Sequence, residues 1–258
     1  MKNLRRIAVL AFCLIITFLA ARAFLRSAPS SVLTGSSKGF AVVELFTSEG
    51  CSSCPPADQL VARIQQEAKD QPVYILAFHV DYWDRQGWKD AFSDPRYTQR
   101  QNRYASWLNL QSVYTPQIVV NGRKEFVGSQ ENTLRSAINS SLEQTPAARL
   151  TISDVRMDQG KISWHYQVQN AVANSSLIVA IVQRSATTDV KAGENSGRTL
   201  SHVQIVRNFS NTAVGTGASG AGSLPVGQGM ASGDEELIAF VQYDDNGQIV
   251  AATRAPVP

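Results

Sequence analysis

Two cysteines with two serines between them, in "EGCSSCPPADQL" (49–60), carry the clearest chemistry in the chain. The spacing lets both sulfurs of Cys51 and Cys54 meet without unwinding a helix. An apolar, β-branched run, "FAVVELFT" (40–47), precedes them, and a helical pattern, "PPADQLVARIQQEAK", follows. A sulfur at a helix N-terminus faces unpaired N–H groups, which favour thiolate over thiol. Such sites lower a cysteine pKa from ~8.5 to about 3.5–7.5. On this reading Cys51 attacks a partner's disulfide and Cys54 resolves the mixed disulfide. Two other chemistries stay open. A staple across so short a loop removes little chain entropy. Zinc wants four ligands, with only His79, His165 and His202 to assist, whereas copper(I) is satisfied by fewer, such as a Cys-Cys-His set.

The elements that must position this pair follow from periodicity. "FAVVELFT" reads as a buried strand. After the cysteines Leu60, Val61, Ile64 and Ala68 repeat with helical spacing, and proline suits a first turn. "PVYILAFHV" (72–80) is a second apolar strand, so the unit predicts a parallel pair with a crossover. Residues 81–112 are aromatic-rich, with a helix predicted from Pro95 to Leu110 capped by Ser93 or Asp94. Arg96, Arg100 and Arg103 fall on one face of it, read as solvated. "YTPQIVVNGRKEFVG" (114–128) predicts a hairpin turning at Asn121-Gly122, and residues 129–144 a closing helix.

Ligands of open α/β sheets bind beyond the carboxyl ends of strands. That rule brings His79, Asp81 and Trp83 to the rim of a pocket, although a buried histidine among aromatics is as ordinary a reading for His79. Trp83 and Trp88 also suit packing.

The N-terminus has a different purpose. "MKNLRR" is basic, residues 7–21 are apolar, and Ala21-Arg22-Ala23 offers a cleavage site, the layout of a secretory signal peptide; a retained anchor is the alternative. Loss of residues 1–23 takes Lys+Arg from 24 to 20 against 21 acidic residues, so the net charge of +3 becomes −1. The basicity is an export feature and predicts no nucleic-acid partner. Cys13 leaves with the apolar run, and the remaining pair belongs where disulfides persist: a periplasmic or extracellular site, or the outer face of an inner membrane if the anchor is kept. Residues 24–38 read as a linker.

Near residue 145 the pattern changes to alternating strands, from "ARLTISDVRM" to "QIVAATR", which predicts a small antiparallel sandwich. The Gly-, Ser- and Ala-rich stretch 212–233 reads as a flexible loop. The polar "GENSGRTLSH" (193–202) is either a plain loop or a segment folded against the cysteines, with Glu194 and Arg198 paired.

"LFTSEGCSSC" and "YTPQIVVNGRKEFVGS" resemble the strand, Gly-Cys-x-x-Cys entry and proline hairpin of thioredoxins and glutaredoxins. The longer set "VELFTSEGCSSCPPAD", "AFHVDYWDRQGWKD", "RQNRYA", "VYTPQIVVNGR" and "GENSGRTLSHVQIVR" resembles an exported bacterial family of thioredoxin-like proteins, domain of unknown function 1223. The resemblance covers nearly all of the chain from Phe40 onward. It implies a cis Pro116 beside the disulfide, Thr115 presenting backbone groups to a peptide, and Glu44 as a buried acid that helps move protons. Ser52-Ser53 departs from the usual intervening pairs, so no redox poise carries over.

The expectation is therefore an α/β thioredoxin-like domain (39–145) with a helical insert, followed by a β-sandwich-like domain (146–258). The expected function is thiol–disulfide exchange on protein partners by Cys51, Cys54, Pro116 and Glu44, with Thr115, His79 and Trp83 at the substrate side. No cofactor or resident metal is expected. A copper- or metal-handling module, or a binding protein with an inert disulfide, is the alternative.

Overall fold

The computed structural model describes residues 38–170, 173–215, 217–227 and 233–258. The expected signal peptide (1–23), all but the last residue of the linker (24–38) and part of the Gly-rich stretch lie outside the described residues. In the first half β1 (Ala41–Thr47), α1 (Pro55–Ala68) and β2 (Val73–His79) are followed by a 3-10 helix (Asp81–Gln86) and α2 (Pro95–Trp107). Then come β3 (Gln117–Val120), β4 (Lys124–Val127) and α3 (Glu131–Leu142). The second half is β5 (Arg149–Asp158), β6 (Lys161–Gln169), β7 (Ser175–Asp189), β8 (Thr199–Val214), β9 (Ser219–Pro225), β10 (Glu235–Tyr243) and β11 (Ile249–Pro256). Among the described residues no helix is long and apolar enough to cross a membrane.

This architecture overturns the expected α/β thioredoxin-like domain with its helical insert and trailing sandwich. Strand dominates, and one mixed eight-stranded sheet runs β11-β10-β7-β8-β2-β1-β3-β4, joining strands from both sides of residue 145. β1 and β2 are parallel, with Leu45 opposite Ala77. β8 then lies parallel to β2 through Ala77 and Ile205. The physical reason is legible in β2: every residue of "VYILAFH" is buried. A strand so apolar needs cover on both faces and a neighbour along its free edge, and the long β8 supplies that neighbour.

The helical segment expected as an insert is a clamp between the halves. Asp94 caps α2 by accepting from the Arg96 N–H at 2.8 Å, ahead of Pro95 at the first position. Tyr97 donates to the Val206 carbonyl at 2.8 Å, and Trp107 Nε1 to the Asp244 carbonyl at 3.0 Å. One core unites Phe46, Phe78, Tyr97 and Tyr104 with Ile178, Ala180, Val182 and Phe240. The other side chains of β7, Leu177, Val179 and Ile181, face a second core with Ile162 and Trp164. That core lies under the three-stranded sheet β5-β6-β9.

β9 forms inside the stretch read as a flexible loop. Gly222 pairs with Trp164 and Gly220 with Tyr166. A Cβ on Gly222 would come within 2.6 Å of the Trp164 ring, and one on Gly220 within 2.8 Å of the Tyr166 hydroxyl. The glycines are there because aromatic rings of β6 lie across the neighbouring strand.

Candidate functional site

Cys51 and Cys54 form a disulfide in the turn between β1 and α1. The turn tightens stepwise: the Cys51 N–H donates to the Ser48 carbonyl and the Cys54 N–H to the Cys51 carbonyl, both at 3.2 Å. Cys54 is the N-cap of α1, so Cys51 lies three residues ahead of the cap and outside the helix, rather than at the helix start as expected. Pro55 and Pro56 occupy the first two helical positions and carry no N–H, so this helix end offers fewer free donors than most. The donors close to the Cys51 sulfur belong to the turn itself. Ser53 Oγ lies 3.4 Å from Cys51 Sγ.

Neither sulfur is open to solvent. Both cysteines are 0% exposed, while Ser52 and Ser53 face solvent. Part of what surrounds the turn comes from the other half of the chain. The connection from β7 to β8 carries Asn195, fully buried, whose Nδ2 donates to the carbonyls of Glu49 (2.8 Å) and Cys51 (3.0 Å). Its own Oδ1 accepts from Arg198 at 2.8 Å. Glu194 accepts from the Ser52 N–H at 3.0 Å. Hydrogen bonds from the Ser52 side chain and N–H hold Glu194 below the usual carboxylate range. The polar segment thus does fold against the cysteines, with Arg198 serving Asn195 rather than Glu194.

Trp83, in the 3-10 helix after β2, packs on the other flank. A Cβ on Gly50 would meet the Trp83 Cβ at 3.2 Å. The Trp83 indole N–H donates to Thr115 Oγ1 at 2.8 Å, tying the cysteine turn to the Thr115–Pro116 loop. The Thr115–Pro116 peptide bond is cis. Pro116 reaches the first turn of α1 across Gly128: a Cβ there would meet Ala57 Cβ at 3.0 Å and Pro116 Cβ at 3.1 Å.

Behind the turn lies a buried polar cluster. His79 Nδ1 and Asp90 Oδ2 are 2.7 Å apart, and the same Asp90 oxygen accepts from the Glu49 N–H at 2.8 Å. Burial pushes Asp90 upward, but the charge and hydrogen bond of His79 and the N–H groups of Glu49 and Phe92 outweigh it and hold the carboxyl low. Glu49 Oε2 accepts from the Trp88 indole at 2.7 Å, and Glu49 Oε1 lies 3.4 Å from His202 Nε2. The His79 and His202 rings meet edge to face at 4.8 Å. Asp58 completes the group. Its N–H donates to the Cys54 carbonyl at 3.2 Å and its carboxyl accepts from Thr47 Oγ1 at 3.3 Å. Burial, only partly offset by His202 and Thr47, pushes its carboxyl up to about 7.

The structure brings Cys51, Cys54, Trp83, Thr115 and Pro116 together and puts His79 in the buried cluster. Glu44 goes elsewhere. Along β1 it shares a face with Val42 and Phe46, whereas Leu45 and Thr47 face α1. Its carboxylate is held by Arg100 and by the Tyr104 hydroxyl, with Gln242 closing the network onto Arg100 at 3.2 Å. Arg100, read as solvated, is 4% exposed. On α1 the acid nearest the cysteines is Asp58, which sequence reasoning passed over. Its signal was simple: four residues past Cys54 is one helical turn, on the same side of α1. Asp90 had no local signal, whereas Asn195 and His202 lie in the polar segment 193–202, for which folding against the cysteines was one of the two readings. Among the described residues no group of three or more His, Cys, Asp or Glu side chains is placed to hold a metal ion.

Comparison with known proteins follows this geometry. The family model described as "Protein of unknown function (DUF1223)" matches residues 42–242. No curated protein matches the sequence. A crystal structure of a protein from Agrobacterium tumefaciens is 26% identical, covers 87% of this chain and 96% of that one, and superposes with a TM-score of 0.66. HBP35 of Porphyromonas gingivalis is 16% identical over 87% of this chain and 77% of that one, with a TM-score of 0.60, a likeness of fold alone.

Proposed function

The chain belongs to the DUF1223 family, and within that family we propose that its Cys51–Cys54 pair exchanges disulfides with protein thiols outside the cytoplasm. The observation that carries this reading is the disulfide in the turn capped by Cys54, with a carboxyl near pKa 7 one helical turn away at Asp58. A bond across so short a loop contributes roughly 2 kcal/mol through chain entropy, against about 4.7 for a 100-residue loop. Stability alone therefore gives little reason for it. A group that binds and releases protons near neutrality is what a leaving thiolate needs.

In the reductive direction a partner thiolate attacks Cys51 Sγ. The Cys51–Cys54 bond breaks, and Cys54 leaves with the bonding pair and takes a proton, for which Asp58 is the nearby donor. A second partner thiolate then attacks the partner sulfur in the mixed disulfide, closing the partner's own disulfide and releasing Cys51 as thiolate. Two electrons pass from partner to cysteine pair, and the reverse sequence oxidises a partner dithiol. Thr115 and Pro116 form one side of the approach, and Trp83 fixes their place. Because the sulfurs are covered, exchange requires the β7–β8 connection to lift, a local opening held by a few hydrogen bonds.

Cys54→Ser tests the reading. Reduced and mixed with oxidised glutathione, this variant should hold one glutathione on Cys51, releasable by dithiothreitol, while Cys51→Ser should not be trapped in this way. Failure of Cys54→Ser to form the adduct contradicts exchange. The extracytoplasmic placement rests on the N-terminal 23 residues. An alkaline phosphatase fusion after residue 38 should be active; an inactive fusion contradicts export.

A further inference from the structure

We propose that Glu194, on the β7–β8 connection, is a positioning residue that opposes ionisation of Cys51 and so holds the cysteine pair oxidised with its cover shut. The inference rests on the exchange reading above and adds a control that the reading does not contain. Glu194 is exposed, yet its carboxylate is seated on the backbone N–H of Ser52, the residue next to Cys51. In the disulfide state this contact sets an anion against a neutral bond. Reduction replaces that bond with two thiols, and when Cys51 then ionises two negative charges share one turn. A like charge within a few ångströms disfavours the ionised form. The turn has little to offset it, because Pro55 and Pro56 strip the helix end of two donors and Glu194 already holds the Ser52 N–H.

The groups that face the turn from each packed element define the rest of the field. Glu49 precedes Cys51, Asp58 rises from α1, His79 ends β2, Asp90 follows Trp88, and His202 and Arg198 come from the β7–β8 side. Glu49 is engaged by Trp88 and lies against His202, Asp90 by His79, and Arg198 by Asn195. Glu194 differs from these acids in being solvent-exposed and seated on the turn by the same connection that covers it. Its displacement on reduction therefore removes a latch: Asn195 keeps its two carbonyl contacts, but the adjacent residue is repelled. The opposite follows on oxidation. Loss of the thiolate restores the Glu194–Ser52 bond and closes the cover over the new disulfide.

The test compares wild type, Glu194→Gln, Glu194→Asp and Asn195→Ala. The pH profile of iodoacetamide reaction at Cys51 is measured in the reduced protein, and the dithiol fraction at equilibrium in a dithiothreitol buffer. Glu194 is exposed and its charge is screened, so removing it is expected to raise the thiolate fraction below the thiol pKa about two- to fivefold. Glu194→Gln should therefore move the alkylation midpoint to lower pH and favour the dithiol form at pH values above that midpoint, with little effect below it. Glu194→Asp should restore the wild-type direction, and Asn195→Ala should raise alkylation at every pH with an unmoved midpoint. A Glu194→Gln profile with the wild-type midpoint overturns the proposal, as does one raised equally at every pH, which would make Glu194 a purely steric cover. If wild type itself fails to equilibrate with the thiol buffer, the exchange reading falls and this inference falls with it.

Discussion

Asn195 Nδ2 lies 3.0 Å from the carbonyl of Cys51, a bond that spans 144 positions of sequence and buries the amide under the cysteine turn. It makes the second half of the chain part of the cysteine site. A chain with a disulfide at a helix start but without this contact would present its sulfur to any thiol of suitable potential. On the exchange reading proposed above, the approach would be filtered by this segment.

Asn195→Ala removes the two hydrogen bonds to the cysteine turn, each worth about 1 kcal/mol net, and the one accepted from Arg198. Opening of the cover should become about tenfold easier or more, and reduction of the disulfide by a small phosphine should quicken by that factor. Thermal unfolding of the oxidised protein should also shift to lower temperature, since Asn195 is buried and its loss leaves the Glu49 and Cys51 carbonyls without that donor. An unchanged reduction rate would show that Asn195 does not gate the sulfur.

Asp58 predicts a pH dependence with a definite sign. Its folded pKa of about 7 lies above the ordinary 3.8. Between those values the folded chain holds a proton that the unfolded chain releases, so this group's contribution is fully present below pH ~4 and is lost as pH rises towards about 7. The whole loss is of the order of 4 kcal/mol. Urea midpoints for wild type should fall across this window relative to Asp58→Asn, whose profile should be flatter. Parallel profiles would contradict the assignment. The same variant should slow exchange most below pH 7, where the lost proton would have been available.

Arg100 and Glu44 predict the opposite pattern, stability without chemistry. Arg100→Met leaves the Glu44 carboxylate buried with its main partner gone, a change that costs about 3–5 kcal/mol. Arg100→Met with Glu44→Gln should recover part of that loss. Because this pair lies on the face of β1 turned away from α1, the pH profile of Cys51 alkylation in the folded variants should match wild type. A shifted profile would return Glu44 to the site.

The local elements around the cysteines were legible because each is written in a short stretch. The apolar β1, the proline-led α1, the apolar β2 and the Asp94-Pro95 start of α2 needed no distant information. Their assembly was not legible. Nothing within "VYILAFH" names β8 as its edge partner, and the same apolar signal suits any covering strand. β9 was hidden because glycine normally marks a loop, and only the rings of Trp164 and Tyr166 on the adjacent strand explain Gly222 and Gly220. Within the site, strand parity separated Glu44 from Thr47, a two-residue-period argument available from sequence. The polar composition of 193–202 raised its return to the cysteines as one of two readings, but the contacts of Asn195 and His202 within it could be placed only from the fold.

The most direct measurement is the reduction potential of the Cys51–Cys54 couple in the intact chain, read by equilibrium with dithiothreitol or glutathione buffers at pH 7. Structural disulfides of secreted proteins lie below about −300 mV, and labile or catalytic ones lie higher. A working exchange pair predicts a value above about −300 mV, reached reversibly from both the oxidised and reduced sides. A value below that line, or a bond that resists the buffers until the protein unfolds, would contradict it and leave the disulfide a structural link.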